Sequence, residues 1–460
     1  MIKVEQVKLV VIGRKRSQRK RQSAILDYTS TFLSTGLIQG IGVVTGVLTA
    51  RLLGPAGKGD LATVFWLPGL MTAAGIVALP QAVAFEVSRH PEHDEVLTAA
   101  GFWLGLSLGM IEAAILYPLI PYILGPNKQY LVSISRWFLL YLPIAFPGLT
   151  LLGIDQGRQA FGRYNLLRLL PAVFYIAGIL LLWWLRKANV ITIVLSNLLA
   201  QFVTSWIRAS IAGKKLLPHS ASLWVEAGKR VLKRGVMLHL PAFASIVLMR
   251  ADMPILIHMV SAEEIGYYSV AMAIAMGQIG IATSLVQVNF PKVASHASSQ
   301  EAISVLLRQF RVAQPVVLGM ALIIALITPW VIRYLFGTAF LPAILPAYIL
   351  IVALAFWGLN QVLDNGLRAM GYGIPGTIAN GAGLGVLLIS GPFFVRLCRT
   401  TGMAIAVLIS QACVMGFLLL HLRRKYAIAL KEMFGVNSSS LNAIRRLFLM
   451  RKNDETGDRN

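Results

Sequence analysis

Two ionisable residues lie deep inside an apolar segment of this chain. Residues 234–260 read RGVMLHLPAFASIVLMRADMPILIHMV, which is long enough to cross a bilayer, and Arg250 and Asp252 fall well inside it. An ionised side chain at membrane depth is costly unless it faces protein, a partner or a water-filled cavity. A spacing of two residues does not put both groups on one helix face, so we expect each to pair across helices. The segment is therefore predicted to line a central cavity.

The composition places these charges in a membrane protein. Of the 460 residues, 57% are hydrophobic and 13% are charged, and the mean hydropathy is +0.70. A soluble globular surface does not tolerate such values. The net charge of +23 would suggest nucleic acid for a soluble protein, but in a membrane protein the location of the charges matters more than their sum. We therefore predict no nucleic-acid partner. The seven His and two Cys show no metal-ligand spacing, so no metal site is predicted either.

Apolar runs of roughly 20 residues, the length that a hydrocarbon core of about 30 Å requires, occur twelve times. The predicted spans are residues 28–52, 61–87, 96–124, 131–155, 166–186, 189–213, 235–260, 266–290, 311–336, 341–365, 373–396 and 402–422. The positive-inside rule tests this count, because one missing helix would invert every later loop. With the N-terminus in the cytoplasm, 31 Lys and Arg lie inside and 8 lie outside. The chain is therefore predicted to be multi-pass with both termini cytoplasmic.

The order of these spans predicts an all-α polytopic membrane protein, with 12 transmembrane helices in two six-helix lobes around a central cavity. Its parts are a basic cytoplasmic segment at residues 1–23, an N-lobe at 24–213, a cytoplasmic interfacial connector at 214–234, a C-lobe at 235–425 and a basic cytoplasmic tail at 426–460. Sparse internal repetition supports two similar halves, since GRQAFG at residues 157–162 recurs as GLRAMG at 366–371. An even number of helices separates the copies, so both halves would have the same orientation in the membrane.

Three stretches of the sequence resemble one known family. They are ARLLGPAGKGDLAT at residues 50–63, GRQAFGRYNLLRLLPAVFYIAGILLL at 157–182 and LPAFASIVLMRADMPILIHMVSAEEIGYYSVA at 240–271. In wording, order and spacing they are similar to polysaccharide transporters, or oligosaccharide flippases, of the multidrug/oligosaccharidyl-lipid/polysaccharide (MOP) exporter superfamily. The resemblance covers about residues 24–425. It implies a two-lobed helical fold with a central cavity, alternating access, and export of undecaprenyl-diphosphate-linked oligosaccharide in bacteria.

The cargo that this resemblance implies carries a diphosphate, a sugar head and a polyprenyl tail. A carrier needs fixed positive charge in a wet groove for the diphosphate, and the guanidinium fork of arginine matches phosphate oxygens. We expect Arg250 to bind the substrate, with Arg136, Arg51 and Asn360 as further substrate-binding candidates. A structural ion pair is the alternative for Arg250. Snorkelling to the interface is the alternative for Arg51 and Arg136.

Asp252 and Glu112 are the candidates for coupling transport to a gradient. No GxxxxGK[ST] motif occurs in the sequence, so ATP is not the expected energy source and a proton or Na⁺ is expected instead, with no other cofactor. The alternative is that these buried acids are structural partners. Four charged residues near the cytoplasmic ends of helices occupy corresponding positions in the two halves and are candidates for an inner gate, with plain interfacial termination as the alternative: Asp155, Arg158, Asp364 and Arg368.

The predicted function is therefore a transporter of the bacterial inner membrane and not an enzyme, because the short outer loops offer no face for catalytic groups. Its expected partners are the lipid bilayer, the lipid-linked glycan, and polysaccharide polymerase or assembly proteins. The alternatives are a lipid II flippase or a cation-coupled multidrug exporter of the same superfamily, and a membrane polysaccharide polymerase or ligase.

Overall fold

The fold is given by a computed structural model. The structure describes residues 2–217, 221–280 and 298–426, together with Thr283, Val286, Val293, Ile428, Met433 and Phe434. The predicted cytoplasmic tail at residues 426–460 lies almost entirely outside the described residues, as does the second half of the span predicted at 266–290.

Every regular element in these ranges is helical. The helices are α1 (Ile2–Leu70), α2 (Leu79–Arg89), α3 (Asp94–Leu124), α4 (Val132–Phe138), α5 (Tyr141–Gly157), α6 (Phe161–Trp184), α7 (Val190–Ala212), α8 (Ala221–Leu248), α9 (Asp252–Met259), α10 (Ala262–Ala275), α11 (Ser299–Trp330), α12 (Ile344–Ala369) and α13 (Ile374–Tyr426). Short π or 3₁₀ segments adjoin several of them, at Met71–Gly75, Pro126–Leu131, Val331–Phe336 and Thr338–Ala343. The all-α class predicted from the sequence is confirmed.

Eight helical stretches among the described residues are long and apolar enough to cross a membrane, or nine if the bent pair Pro126–Phe138 and Tyr141–Gly157 is one span. Two of the eight, Thr29–Arg89 and Ile374–Tyr426, contain 61 and 53 residues. A bilayer needs only about 20, and each of these two stretches covers two predicted spans. The span predicted at residues 266–290 begins in α10. Three other predicted spans, 61–87, 131–155 and 235–260, are each interrupted within the helical stretch, and the remaining ones follow helices. The chain is a multi-pass membrane protein, as predicted.

A glycine–proline pair separates the first two spans inside α1. Gly54 has φ 67° and ψ −177°, a conformation that side chains with a Cβ rarely adopt. Pro55 follows at the first position of the next helix, where its missing N–H costs no hydrogen bond. The second span therefore begins at Pro55 and not at residue 61, and the outer loop predicted at residues 53–60 is helical after the glycine. The two spans within α13 are separated in a similar way at Cys398 and Arg399.

The described residues form two compact units. One unit contains the chain up to Leu48, Met71–Ile120 and Ser133–Leu238, and the other contains Thr49–Leu70, Pro121–Val132 and the chain from His239 onward. The second unit therefore includes two segments from the first half of the sequence, and they contribute to the site described below. The lobes predicted at residues 24–213 and 235–425 follow the order of the helices along the chain and stay a prediction. Part of the predicted connector, residues 221–234, forms the first half of the continuous helix α8.

Glycines on α3 bring helices of the first unit into close contact. A Cβ on Gly109 would stand 2.6 Å from the Leu142 carbonyl oxygen of α5, and a Cβ on Gly105 would stand 3.0 Å from the Phe146 main chain. The distance at Gly109 is shorter than a carbon–oxygen contact allows and the distance at Gly105 is tight, so the absence of these side chains lets α3 and α5 pack backbone to backbone.

We predict that Gly109→Ala destabilises the protein, because the new methyl group pushes α3 away from α5. The expected loss is about 1–3 kcal/mol in the free energy of unfolding, as for other overpacked cores. Gly385→Ala in α13 is the matched control, since its Cβ would meet nothing within 4 Å and alanine favours a helix. Thermal unfolding of the purified proteins in detergent measures both. An equal melting temperature for Gly109→Ala and wild type would contradict the packing.

Candidate functional site

The helix that carries Arg250 is interrupted at that residue. α8 ends at Leu248 and α9 begins at Asp252, whereas the sequence predicted one span over residues 235–260. Pro254 explains the break, because it has no N–H to bond the carbonyl four residues earlier, which is that of Arg250. A main-chain carbonyl without a partner is costly at membrane depth. The break therefore requires a hydrogen-bond donor from elsewhere in the protein.

Trp66 supplies that donor. Its indole Nε1–H donates to the Arg250 carbonyl oxygen at 2.9 Å. Trp66 lies in the part of α1 that belongs to the second unit, and it is buried. The indole thus satisfies the carbonyl that Pro254 leaves free, and it fixes the interrupted helix against α1.

The Arg250 guanidinium forms no salt bridge in the part of the chain that the structure describes, although the charge of nearby Asp252 attracts it. Its Nη1 lies 3.3 Å from the point where a Cβ on Gly69 would stand, so the guanidinium rests against the bare main chain of α1. Among the described residues it makes neither a salt bridge nor a side-chain hydrogen bond. The structural ion pair that the sequence left open for Arg250 is therefore not formed there. Five N–H donors in a planar fork stay available for a ligand.

Asp252, by contrast, accepts a hydrogen bond from the protein on each of its two carboxylate oxygens. It is only 5% exposed. The Tyr268 hydroxyl of α10 donates to its Oδ2 at 2.6 Å, and the Met253 amide donates to its Oδ1 at 2.9 Å. Asp252 is also the first residue of α9, where the helix dipole favours a negative charge. It therefore pairs across helices with Tyr268, in agreement with the expectation from the two-residue spacing.

Arg250 and Asp252 line the same cavity of the second unit, which has a volume of about 240 Å³. Its walls come from α1, α10 and the break between α8 and α9. Most of the remaining wall is apolar and includes the aromatic rings of Phe65, Trp66 and Tyr268. In the described ranges of the chain, no group of three His, Cys, Asp or Glu side chains could hold a metal ion.

The far end of α9 is held by residues that the sequence reasoning missed. The Lys128 ammonium is 2% exposed and donates to the carbonyl oxygens of Ile257 and Val260 at 2.8 Å each. A cation at the last carbonyls of a helix complements its dipole. The His258 ring contacts the carbonyl oxygens of Pro254 and Tyr122 at 2.9 and 3.1 Å. α9 is therefore a short helix with an acid at its first residue and a buried lysine at its last carbonyls.

Arg51 and Arg136 contact main-chain carbonyls in different parts of the protein. Arg51 is exposed and donates to the carbonyl oxygen of Leu335 at 2.6 Å and to that of Tyr334. Arg136 donates to the Tyr117 carbonyl oxygen at 3.2 Å, and its guanidinium carbon lies 4.6 Å from the centre of the Tyr117 ring. Neither residue lines the cavity of Arg250. Substrate binding by either arginine stays a prediction.

Asn360 lies between α12 and α13 in the second unit. It is 3% exposed, and its Nδ2 donates to the carbonyl oxygen of Gln411 at 3.0 Å and to the Gln411 Oε1 at 3.2 Å. Its own Oδ1 is buried without a hydrogen-bond partner in the structure. Asn360 is not part of the wall around Arg250, so the structure does not bring these two candidates together.

The four candidates for an inner gate form ion pairs. Arg368 holds the buried carboxylate of Asp364 through two hydrogen bonds, at 3.0 and 2.9 Å, one turn apart on α12. In the first unit, Arg158 holds Asp94 at 2.7 and 2.6 Å. Asp155 pairs with Arg163 and lies 3.8 Å from Arg158. Each buried acid is therefore neutralised by an arginine of its own unit, and a gating role stays a prediction.

Glu112 lies in the first unit against a distorted helix. Its Oε2 is buried without a hydrogen-bond partner in the structure, and its carboxyl group occupies the place where a Cβ of Gly75 would stand. Gly75 ends the π segment Met71–Gly75, and Val77 and Ala78 follow with φ of 51° and 50°. Left-handed conformations are unfavourable for both residues, and π segments are frequent at functional sites. The carboxyl group therefore touches the point at which the second span is broken.

Only part of this site could be recognised from the sequence. Pro254 stands four residues after Arg250, a spacing that identifies the carbonyl it leaves free. No comparable signal identifies Trp66, which is 184 residues away, or Lys128, which is 129 residues from Ile257. Tyr268 stands next to Tyr267, and only packing decides which of the two hydroxyls reaches Asp252.

Comparison of the sequence with known families gives one match. The profile of the family described as "Polysaccharide biosynthesis protein" matches residues 26–297, which is more than half of the chain. The matched region runs from within α1 through α10 and includes every residue of the Arg250 cavity. No curated protein sequence matches the chain.

Solved structures with a similar fold are transporters of the MOP superfamily. An inward-facing multidrug resistance MATE transporter is similar with a TM-score of 0.70 and 18% identity, over 86% of this chain and 98% of that one. The lipid II flippase MurJ, in an inward closed conformation, is similar with a TM-score of 0.68 and 16% identity, over 94% of each chain. A MOP superfamily transporter from Pyrococcus furiosus has a TM-score of 0.61 and 19% identity, over 87% and 94%. At these identities the likeness shows the fold alone.

We predict that the cost of losing the Trp66 indole depends on Pro254. Trp66→Phe keeps an aromatic ring but leaves the Arg250 carbonyl without a donor, and we expect a loss of about 1–3 kcal/mol in stability. In a Pro254→Ala background the restored amide can bond that carbonyl, so the same substitution is expected to cost much less. A double-mutant cycle of melting temperatures measures the difference. Equal costs in both backgrounds would contradict the proposed cause of the break.

Proposed function

Because this chain belongs to the polysaccharide biosynthesis protein family, we propose that it is a flippase for undecaprenyl-diphosphate-linked oligosaccharide repeat units. It exports them across the bacterial inner membrane by alternating access, for the assembly of a surface polysaccharide, and both of its termini lie in the cytoplasm. Its fold, which resembles that of MOP superfamily transporters, supports transport. Polysaccharide polymerase or assembly proteins are the proposed protein partners.

The guanidinium of Arg250, which makes no hydrogen bond or salt bridge within the described chain, is the main support for this proposal. A diphosphate does not cross hydrocarbon unaided, and the guanidinium fork binds phosphate oxygens through two parallel hydrogen bonds. A cation held at membrane depth that forms no salt bridge within the described chain is costly, and an anionic ligand lowers that cost. The cavity at Arg250 gives such a ligand room.

The charged groups in the cavity wall favour an anionic substrate over the cationic drugs of the multidrug alternative. A cation-binding site needs a carboxylate that is free to meet the drug, but both oxygens of Asp252 already accept hydrogen bonds within the protein. Arg250 would in addition repel a cationic drug. Export of lipid II is the second candidate, because lipid II shares the prenyl diphosphate and because one similar structure is that of a lipid II flippase.

Glu112 is our proposed site for a coupling proton, and Asp252 is the second candidate. A protonated carboxyl group donates a hydrogen bond, whereas an ionised one only accepts. The Glu112 carboxyl group rests against Gly75 with one oxygen unpaired, so a change in its charge alters its contact with the broken part of the second span. A coupling ion could thereby act on the helix itself.

We predict that Arg250→Ala abolishes export of the lipid-linked glycan while the protein reaches the membrane at its normal level. Arg250→Lys keeps the charge but loses the fork, and we expect partial export. Arg396→Ala is the matched control, since Arg396 is an exposed arginine of the second unit outside the cavity. Surface polysaccharide and membrane protein are both measured in cells of a strain that lacks the native gene. Full export by Arg250→Ala would contradict the assignment of Arg250 as the principal substrate-binding residue.

We predict that Glu112→Gln slows flipping and makes the remaining activity independent of the proton gradient, because an amide does not titrate. Reconstituted vesicles test this by collapsing the proton and the sodium gradients separately, with Asp252→Asn assayed in parallel. Dependence on a gradient that Asp252→Asn removes and Glu112→Gln preserves would move the coupling site to Asp252. Unchanged wild-type flipping after both gradients are collapsed would refute ion coupling.

A further inference from the structure

The cavity of Arg250 offers a ligand a single free donor group. The Trp66 indole N–H is bound to the Arg250 carbonyl at 2.9 Å. The Tyr268 hydroxyl is bound to Asp252 at 2.6 Å, and the Ser269 hydroxyl donates to the Gly266 carbonyl at 2.9 Å. Among the described side chains of the wall, every other polar hydrogen is therefore used inside the protein. Only the Arg250 guanidinium remains to donate to a ligand.

The rest of the wall is apolar and adaptable. Four methionines line the cavity together with Phe65. They come from the helix break, from α9, from α10 and from the 3₁₀ turn that follows α10: Met249, Met253, Met272 and Met276. Methionine side chains are flexible and polarisable, so they pack against irregular hydrocarbon surfaces without a fixed shape. Such a wall suits a branched and unsaturated chain.

A sugar is a poor occupant of this cavity. Each sugar hydroxyl that left water here would need a partner, and an unpaired buried hydroxyl loses the free energy of its hydrogen bonds to water. The three polar wall groups named above are already engaged. A hydrocarbon chain fills the same space without leaving any hydrogen bond unmade.

We propose that this cavity binds the isoprenyl units next to the diphosphate of a prenyl diphosphate lipid, with Arg250 on the diphosphate and the glycan outside the cavity. The inference rests on the proposed function and states which part of the substrate this site binds. The cavity, of about 240 Å³, has room for the isoprenyl units next to the diphosphate.

The specificity that follows is for the lipid and not for the sugar. One amphipathic site holds a charged head at Arg250 and a prenyl stem against the methionines, so any glycan carried on the same prenyl diphosphate presents the same atoms to it. Discrimination between glycans must then come from residues outside this cavity.

Short prenyl diphosphates test the inference on the purified, full-length protein. The probes are farnesyl diphosphate, inorganic diphosphate and farnesol, and binding is measured by thermal shift and by titration calorimetry in one detergent. The wild type is expected to bind farnesyl diphosphate at least tenfold more tightly than either of the other probes, because only farnesyl diphosphate has both the head and the stem.

Two Met-to-Gln substitutions, one inside and one outside the cavity, test whether the apolar wall binds the prenyl chain. Met272→Gln places an amide in the apolar wall, and we expect it to weaken binding of farnesyl diphosphate about tenfold without changing that of inorganic diphosphate. Met259→Gln is the matched control, because Met259 lies on α9 outside the cavity, and it is expected to bind both as the wild type does. Melting temperatures without a ligand verify that both variants fold.

The outcomes distinguish this inference from the proposed function. If Met272→Gln keeps the full preference for farnesyl diphosphate while Arg250→Gln loses both diphosphates, the prenyl site is overturned and the flippase proposal stands. If the wild type binds neither diphosphate and Arg250→Ala exports glycan normally, both fail. Loss of the farnesyl preference in Met272→Gln alone supports the prenyl site.

Discussion

The candidate site depends on one main-chain carbonyl that its own helix does not satisfy. Pro254 removes the hydrogen bond to the Arg250 carbonyl, and the low dielectric of the bilayer makes that vacancy costly. The indole of Trp66 supplies the missing donor. Because the chain turns at this point, Arg250 and Asp252 leave the regular helical register and line one cavity. The same break creates α9, whose dipole is matched by Asp252 at one end and Lys128 at the other.

The five arginines proposed for substrate binding or gating differ mainly in the groups that their guanidinium groups contact. Arg158 and Arg368 bind carboxylates through paired hydrogen bonds, and Arg51 and Arg136 bind main-chain carbonyls. These contacts explain the four residues as structural anchors whether or not they have a second role. Among these five, Arg250 alone has a guanidinium that makes neither a hydrogen bond nor a salt bridge in the described part of the chain. The proposal for a lipid diphosphate follows from this contrast, since an unpaired fork in a largely apolar cavity favours an amphipathic anion.

Much of the fold could be predicted from the sequence, because hydrophobic length and the distribution of Lys and Arg are local properties. The depth of Arg250 and Asp252 was visible for the same reason. The sequence did not reveal the break, although Pro254 marks it, because proline is common in membrane helices and only sometimes interrupts them. The partners Trp66, Tyr268 and Lys128 depend on which helices meet, and a pattern within one segment does not contain that information. Segments from the first half of the sequence supply Trp66 and Lys128, and the second unit includes them.

The most direct test of the central claim is a cryo-electron microscopy structure of the protein with a synthetic undecaprenyl-diphosphate-linked oligosaccharide. The density of the diphosphate is predicted at the Arg250 guanidinium, with Trp66 still bonded to the Arg250 carbonyl and the first isoprenyl units against Met272 and Met276. A diphosphate bound elsewhere, with Arg250 packed against bilayer lipid or paired with an acidic side chain, would contradict the claim.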